Sequence, residues 1–253
     1  MTTIFLAGLL ISQTAALDAA PALPLGSSGE FQATAYRVET LLEEGKFAEA
    51  AKLAERLPKR QFTLHWDATG IPVRMTSLYL TACNDAIQDW SKFVNGMQVR
   101  FAEKGEVKVS FKETLPPPPD SVYPAGATFF TSDSSAEPRI EAVIALKRDI
   151  PPVAIGPRQV QNEVGYAIGA YFGLSRNPKV AGYMGRLDTL GDARLHANLA
   201  DGKLIEELLT LSDTLRAAAK NKVRLKTSKP TAAINPSVLK HPDMNAGDPL
   251  RCV

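Results

Sequence analysis

The chain has 253 residues, of which 45% are hydrophobic and 22% charged, a size and composition that suit one globular domain with an additional segment. The 29 lysine and arginine residues nearly balance the 27 acidic residues, and the net charge of +2 excludes a chain that is strongly basic overall. The most basic stretch, residues 220–229, has no aromatic side chain on which a base could stack, so we expect no nucleic-acid partner.

Residues 1–20 have the pattern of a secretory signal peptide. An apolar run at residues 4–11 is followed by small residues, and cleavage is expected near residues 19–22. The run is too short to cross a bilayer, and no later segment reaches that length. Because the stretch lacks lysine and arginine, a buried N-terminal strand or helix is the alternative. We therefore expect an exported protein, periplasmic or extracellular, with no transmembrane segment after signal removal.

Residues 29–59 are predicted to form a helical hairpin. Apolar residues recur at helical spacing on both sides of Gly45, which separates the two helices. The unit resembles a single tetratricopeptide repeat, and about three such repeats are normally needed to bury their apolar faces. The hairpin is therefore expected to pack either on the main domain or on a partner protein.

Residues 61–222 form the predicted main domain, in which strand and helix patterns follow one another. Strands are predicted at residues 62–66, 97–101, 107–111, 127–131 and 140–146, the last apolar enough to be buried on both faces. Helices are predicted at residues 75–94, 158–172 and 203–220. This order predicts an α+β fold, with a mixed sheet and long helices packed against it.

Several details of this domain are separate predictions. Leu78 is expected on the buried face of the first long helix. Asp201 and Gly202 are expected to separate the last helix from a short helical stretch before it. The proline-rich segment 115–126 is predicted to be an exposed loop, because proline has no N–H to donate to a sheet. Residues 223–253 are polar and aperiodic and are predicted to form a flexible basic tail.

The two cysteines, Cys83 and Cys252, do not have the spacing of metal ligands. In an exported protein such a pair could form a disulfide. Cys83 lies inside a predicted helix, so a buried free thiol is equally consistent with the sequence.

Residues 162–185, NEVGYAIGAYFGLSRNPKVAGYMG, contain the framework of a zinc-peptidase helix without its histidines. In such helices two histidines four residues apart face the same way, and the glutamate beside the first polarises the metal-bound water. A longer form adds a glycine, a third histidine and a later methionine turn. The framework residues in register are Glu163, Gly169 and Met184, and the first two ligand positions hold Asn162 and Tyr166.

The surrounding chain, from about Thr63 to Arg186, resembles a matrixin-type metallopeptidase domain of the metzincin group. The resemblance rests on HWDATGIP, a long helix ending in DW, VRF, VKVSF, the proline-rich loop, AGATFF and IEAVIAL, and covers roughly half of the chain. It implies a zincin-like twisted sheet over the motif helix, with an antiparallel edge strand that borders the peptide-binding cleft. The residues that this resemblance assigns to the edge strand are Ala127, Thr128, Phe129, Phe130 and Thr131.

The side chains at the ligand positions are poorly suited to zinc. A catalytic zinc needs three protein ligands, drawn from imidazole, thiolate and carboxylate groups, and one open position. Here the first two positions supply an amide and a phenol, and a phenol has an ordinary pKa of about 10. The third position is Phe172 by strict count, or Arg176 if a short insertion precedes Gly-Leu-Ser. We therefore expect no metal, no cofactor and no catalytic residue at this vestigial motif.

The resulting prediction is an exported, catalytically inactive metallopeptidase-like protein that serves as a binding or structural module for an extended peptide or protein. An active metallopeptidase with an atypical metal site, such as Glu163 with His196, is one alternative. Only three histidines could contribute to such a site. His65 is predicted to be an ordinary sheet residue, His196 to face solvent or a carboxylate, and His241 to lie in the tail. A protein that binds through its helical hairpin is a second alternative, and an unrelated α/β protein with a chance motif is a third.

Overall fold

A computed structural model of the protein describes residues 23–115, 125–130, 139–149, 152–177, 181–185 and 195–225. In chain order the elements are α1 (Gly29–Glu43), α2 (Phe47–Ala54), β1 (Gln61–Trp66), α3 (Val73–Ser91), β2 (Gln98–Phe101), β3 (Val107–Lys112), β4 (Gly126–Phe130), β5 (Ile140–Ala145), β6 (Lys147–Asp149), β7 (Pro152–Ala154), α4 (Pro157–Tyr171) and α5 (Leu199–Lys220). The predicted signal peptide, most of the proline-rich segment and nearly all of the predicted tail, together with Thr131, His241 and Cys252, lie outside the described residues.

The central sheet has the strand order β2-β1-β3-β5-β4. The first four strands are parallel to their neighbours, whereas β4 runs antiparallel to β5 and is the last described strand on its side. Strand β5 lies between β3 and β4 and is largely buried, as its apolar sequence predicted. The prediction of an α+β fold with a mixed sheet is thus confirmed.

Helices α3 and α4 pack against each other, and α4 also contacts β3, β4 and β5. The buried stripe of α3 includes Tyr79, Ala86 and Trp90, and the Tyr79 ring stacks on Phe111 of β3 at a centroid distance of 5.7 Å. The prediction that Leu78 is buried is wrong, because its side chain is 50% exposed. Tyr79 takes the buried place, since residue 79 continues the helical spacing set by the other two.

Helices α1 and α2 pack against each other and against α5. Their buried residues are Phe31, Ala35, Val38 and Leu42 in α1 and Ala50 and Ala54 in α2. The start of α1 is joined to the end of α4, because the N–H of Ser28 donates to the carbonyl of Gly173 at 2.6 Å. The ring of Phe31 lies against Gly173, where a side chain would collide with it. The apolar face of these two helices is therefore covered by the same chain.

Helix α5 is continuous, so the predicted separation at Asp201 and Gly202 is wrong. Asn198 caps this helix by accepting a hydrogen bond from the N–H of Asp201 at 2.9 Å. Gly202 lies against Phe93, and a Cβ at position 202 would be 2.5 Å from the Phe93 Cβ. The glycine therefore permits close packing inside the helix instead of ending it.

Cys83 is fully buried in α3 and free, and burial raises the pKa of its thiol to about 12. Within the described ranges, none of the helices is long and apolar enough to span a membrane.

Candidate functional site

Helix α4 carries most of the peptidase-like motif. Asn162 and Tyr166 lie one turn apart on this helix, so their side chains point to the same side. Tyr166 and Glu163 are nonetheless buried, with exposed fractions of 3% and 4%. The oxygen of the Asn162 amide accepts a hydrogen bond from the N–H of Leu195 at 3.0 Å. The amide therefore helps to hold the segment that leads into α5.

The two candidates for the third ligand position lie in different environments. Phe172 is fully buried and packs edge-on against Phe62 at a centroid distance of 5.7 Å. It is therefore part of the hydrophobic core. Arg176 is half-buried in the segment that follows α4, and its positive charge would repel a metal cation.

The turn at residues 181–185 holds Met184, which is 1% exposed and packs on α4. A Cβ at Gly169 would collide with the Met184 sulfur, and one at Gly165 would collide with the ring of Tyr183. The Trp90 indole N–H also donates to the carbonyl of Gly165 at 2.8 Å. The two glycines, one helical turn apart, thus let the turn and α3 approach the α4 backbone closely.

Glu163 connects α4 with the edge of the sheet. A Cβ at Gly126 of β4 would lie 2.6 Å from the Glu163 carboxyl carbon, so this carboxyl group rests against the strand backbone. The motif glutamate and the edge strand are therefore direct neighbours, although they are 37 positions apart in the sequence.

Strand β4 presents one row of peptide groups away from the sheet. The N–H of Ala145 donates to the carbonyl of Ala125 at 2.8 Å, and Ala127 and Phe129 are the next residues with the same parity. In an antiparallel pair the intervening residues direct their N–H and C=O groups to the other side. These residues are Gly126, Thr128 and Phe130. Because Gly126 also faces Glu163, the side chains of this row lie on the α4 face of the sheet.

Thr128, in the middle of this row, is buried, with an exposed fraction of 1%. Its hydroxyl oxygen is buried and has no hydrogen-bond partner among the described residues. Ala127, Phe129 and Phe130 are half-buried. The structure thus brings four of the five residues predicted for the edge strand into one strand beside α4, and the fifth, Thr131, lies outside the described residues.

A second polar site, which sequence reasoning missed, is centred on the buried carboxyl group of Asp89. One carboxyl oxygen accepts hydrogen bonds from the Tyr183 hydroxyl at 2.9 Å and from His196 Nδ1 at 2.7 Å. The other oxygen accepts from Lys92 Nζ at 2.7 Å. The Gln161 amide N–H₂ lies 3.5 Å from Asp89 and donates to the Tyr183 hydroxyl at 2.9 Å. These five residues are the Asp89 cluster.

The cluster favours an ionised Asp89. Burial by itself raises the pKa of this carboxyl group, but hydrogen bonds from Lys92, His196 and Tyr183 outweigh it and hold the pKa below its ordinary value. A signal for the cluster did exist in the sequence. Position 89 lies on the same helical face as Ala82 and Ala86, so a carboxyl group there has to be buried with partners.

The two histidines that the structure describes do not form the alternative metal site. His196 is bound to Asp89 through Nδ1, in agreement with the expectation of a carboxylate neighbour, and its side chain is 54% exposed. His65 lies in β1, where its Nδ1 is 3.2 Å from the carbonyl oxygen of Ala102. Across the described part of the chain, no three histidine, cysteine, aspartate or glutamate side chains are grouped closely enough to hold a metal ion.

No family model matches the chain, and no curated protein matches it.

Proposed function

We propose that the protein is an exported, zincin-like module without peptidase activity, which binds an extended peptide along the side of β4 that faces away from β5. The observation that carries this proposal is the outward row of peptide groups at Gly126, Thr128 and Phe130, which lies directly beside the motif helix. The apolar run near the N-terminus, followed by small residues, supports export.

Binding at a sheet edge depends on main-chain hydrogen bonds, with pockets for alternate side chains supplying specificity. It therefore requires no metal ion, and it can persist in a protein that lacks catalytic ligands. A peptide paired with β4 would have the strand on one side and helix α4 beside it, an arrangement that suits a single extended strand.

The residues at the motif do not fit a catalytic zinc. The Asn162 oxygen is engaged by the Leu195 N–H, the Tyr166 phenol is buried, and Phe172 belongs to the core. None of these groups is an imidazole, thiolate or carboxylate. Glu163 consequently has no metal-bound water to polarise, and we assign it a packing role against Gly126.

Binding through the two N-terminal helices has less support. Most of their apolar residues are buried or partly buried within this chain, and Arg224 Nε also donates to the carbonyl of Glu43 at 2.8 Å. These helices therefore do not offer a free apolar face to a partner.

The proposal can be tested by titrating the ¹⁵N-labelled protein with a blocked, lysine-flanked eight-residue peptide of alternating valine and threonine. We expect shifts of the Gly126, Thr128 and Phe130 amides. Alternate-residue N-methylation of the peptide provides a matched control, because only the methyl groups that face β4 should abolish binding. Unchanged edge amides at millimolar peptide, or equal binding of the two N-methylated peptides, would contradict the proposal.

A further inference from the structure

The end of β4 opens into a pocket that the N-terminal helix helps to build. The pocket is partly open, and its empty space, with the open solvent at its mouth, is about 460 Å³. It lies between the first turns of α1, the segment at residues 56–58, the strand ends at Phe130 and Ile140, and the last turn of α4. We propose that it receives an aromatic side chain of the peptide that pairs with β4, an inference that rests on the proposed function.

Strand geometry directs a peptide side chain into this pocket. Phe130 belongs to the row whose peptide groups face away from β5 and whose side chains lie on the α4 face. In paired strands, residues directly opposite each other project to the same face of the sheet. The peptide residue opposite Phe130 therefore projects toward α4, where Ala170 and Tyr171 form the wall of the pocket.

The chemistry of the lining favours an aromatic ring. Phe31, Leu57 and Tyr171 are buried apolar surfaces, and Phe130 adds a half-buried ring at the entrance. The Arg139 guanidinium lies over the Tyr171 ring at 4.9 Å and also lines the pocket. Aromatic rings pack favourably against other rings and against guanidinium groups. Because an aromatic ring is neutral, its binding does not depend on whether the arginines of the lining are paired with acidic groups.

The proposal also specifies the register of the peptide. Glu163 rests against Gly126, at the opposite end of β4 from the pocket. Phe130 lies four positions after Gly126 along the strand, which corresponds to about 13 Å. The aromatic residue should therefore lie four positions along the peptide from the residue that passes Glu163.

The test compares the blocked eight-residue peptide carrying a central phenylalanine with the same peptide carrying alanine. We expect about tenfold tighter binding of the phenylalanine peptide, because burial of a phenyl ring contributes that much affinity. Thr34→Trp, on α1, fills the pocket from its half-exposed wall and should reduce this preference to less than about twofold. Thr40→Trp, on the same helix but outside the pocket lining, is the matched control and should retain it.

A second probe separates the pocket from the edge. N-acetyl-phenylalanine methylamide should shift the amide resonances of Thr34 and Gly173 and leave those of the β4 edge unchanged. Its alanine analogue is the control. If both peptides shift the edge amides with equal affinity, the pocket is wrong and the proposed function stands. If the phenylalanine amide shifts the pocket resonances and no peptide shifts the edge resonances, the proposed function fails and only the site for an aromatic ring remains. No response at Thr34 and Gly173 to either probe overturns the pocket.

Discussion

The motif face of α4 and the Asp89 cluster both contain polar groups, but they use them differently. At the motif, Asn162 accepts a backbone hydrogen bond and Tyr166 is buried, so the positions that resemble a metal site take part in packing. In the Asp89 cluster, a buried carboxyl group collects donors from α3, α4, the turn at 181–185 and the segment before α5. The positions that the motif singles out thus serve packing, whereas the concentrated polar chemistry lies where no motif indicated it.

The largest expected effect comes from removing the centre of the cluster. Asp89→Ala should lower the free energy of unfolding by about 3 kcal/mol, because it leaves buried polar partners such as Tyr183 without an acceptor. Urea denaturation measures this change. Asp213→Ala, which removes a 60% exposed carboxylate paired with Arg216, is the control and should cost less than about 1 kcal/mol. Similar losses for both variants would remove the contrast between a buried cluster and an ordinary surface pair.

Gly169→Ala should have the next largest effect. A methyl group there meets the Met184 sulfur and the Trp90 ring, and such overpacking costs about 1–3 kcal/mol. Gly29→Ala, where an added methyl group meets no atom within 4 Å, should leave stability nearly unchanged. Thermal unfolding of the two variants distinguishes a tight contact from a tolerant one. An unaffected Gly169→Ala protein would show that the turn does not press on the motif helix.

The pH dependence of stability should sharpen the role of Asp89. Its folded-state pKa is lowered, so its ionised form stabilises the folded protein above the unfolded pKa of about 4, and this contribution is lost as the pH falls through the folded pKa. The stability difference between the wild type and Asp89→Asn should therefore shrink between about pH 5 and pH 2. Urea midpoints over this range measure it. A difference that is constant or that grows toward acid pH would contradict the assignment.

The smallest effects are expected at the motif itself. The purified protein should hold no stoichiometric zinc, and Glu163→Gln should alter no hydrolytic activity, because the ligand positions supply an amide and a buried phenol. Replacing both Asn162 and Tyr166 by histidine should raise zinc affinity measurably in a chelator competition, with Asn162→His alone as the control. Elemental analysis that finds about one zinc per natural chain, removable by a chelator together with a hydrolytic activity, would contradict the assignment of the motif positions to packing.

Local patterns in the sequence were sufficient for most of the secondary structure. The alternating residues of β3, the apolar run of β5 and the periodicity of α3 and α4 predicted each element to within a few residues. Among the described strands, β4 is the last in the order and runs antiparallel to β5, an arrangement that the resemblance implied and strand periodicity did not. These features depend on neighbouring residues or on the order of elements, both of which the chain displays directly.

Tertiary packing decided the remaining features, because they depend on residues that are distant in the chain. The sequence around Gly202 predicted a helix break, but α5 is continuous and the glycine lets Phe93 pack closely against it. Asp89 and His196 are 107 positions apart, and only the packing of α3 beside the turn and the start of α5 brings them to 2.7 Å. The pocket beside Phe130 likewise requires α1 to lie against the end of α4. Sequence periodicity predicts which face of an element is apolar, but the partner that covers that face is chosen by the free energy of the whole fold.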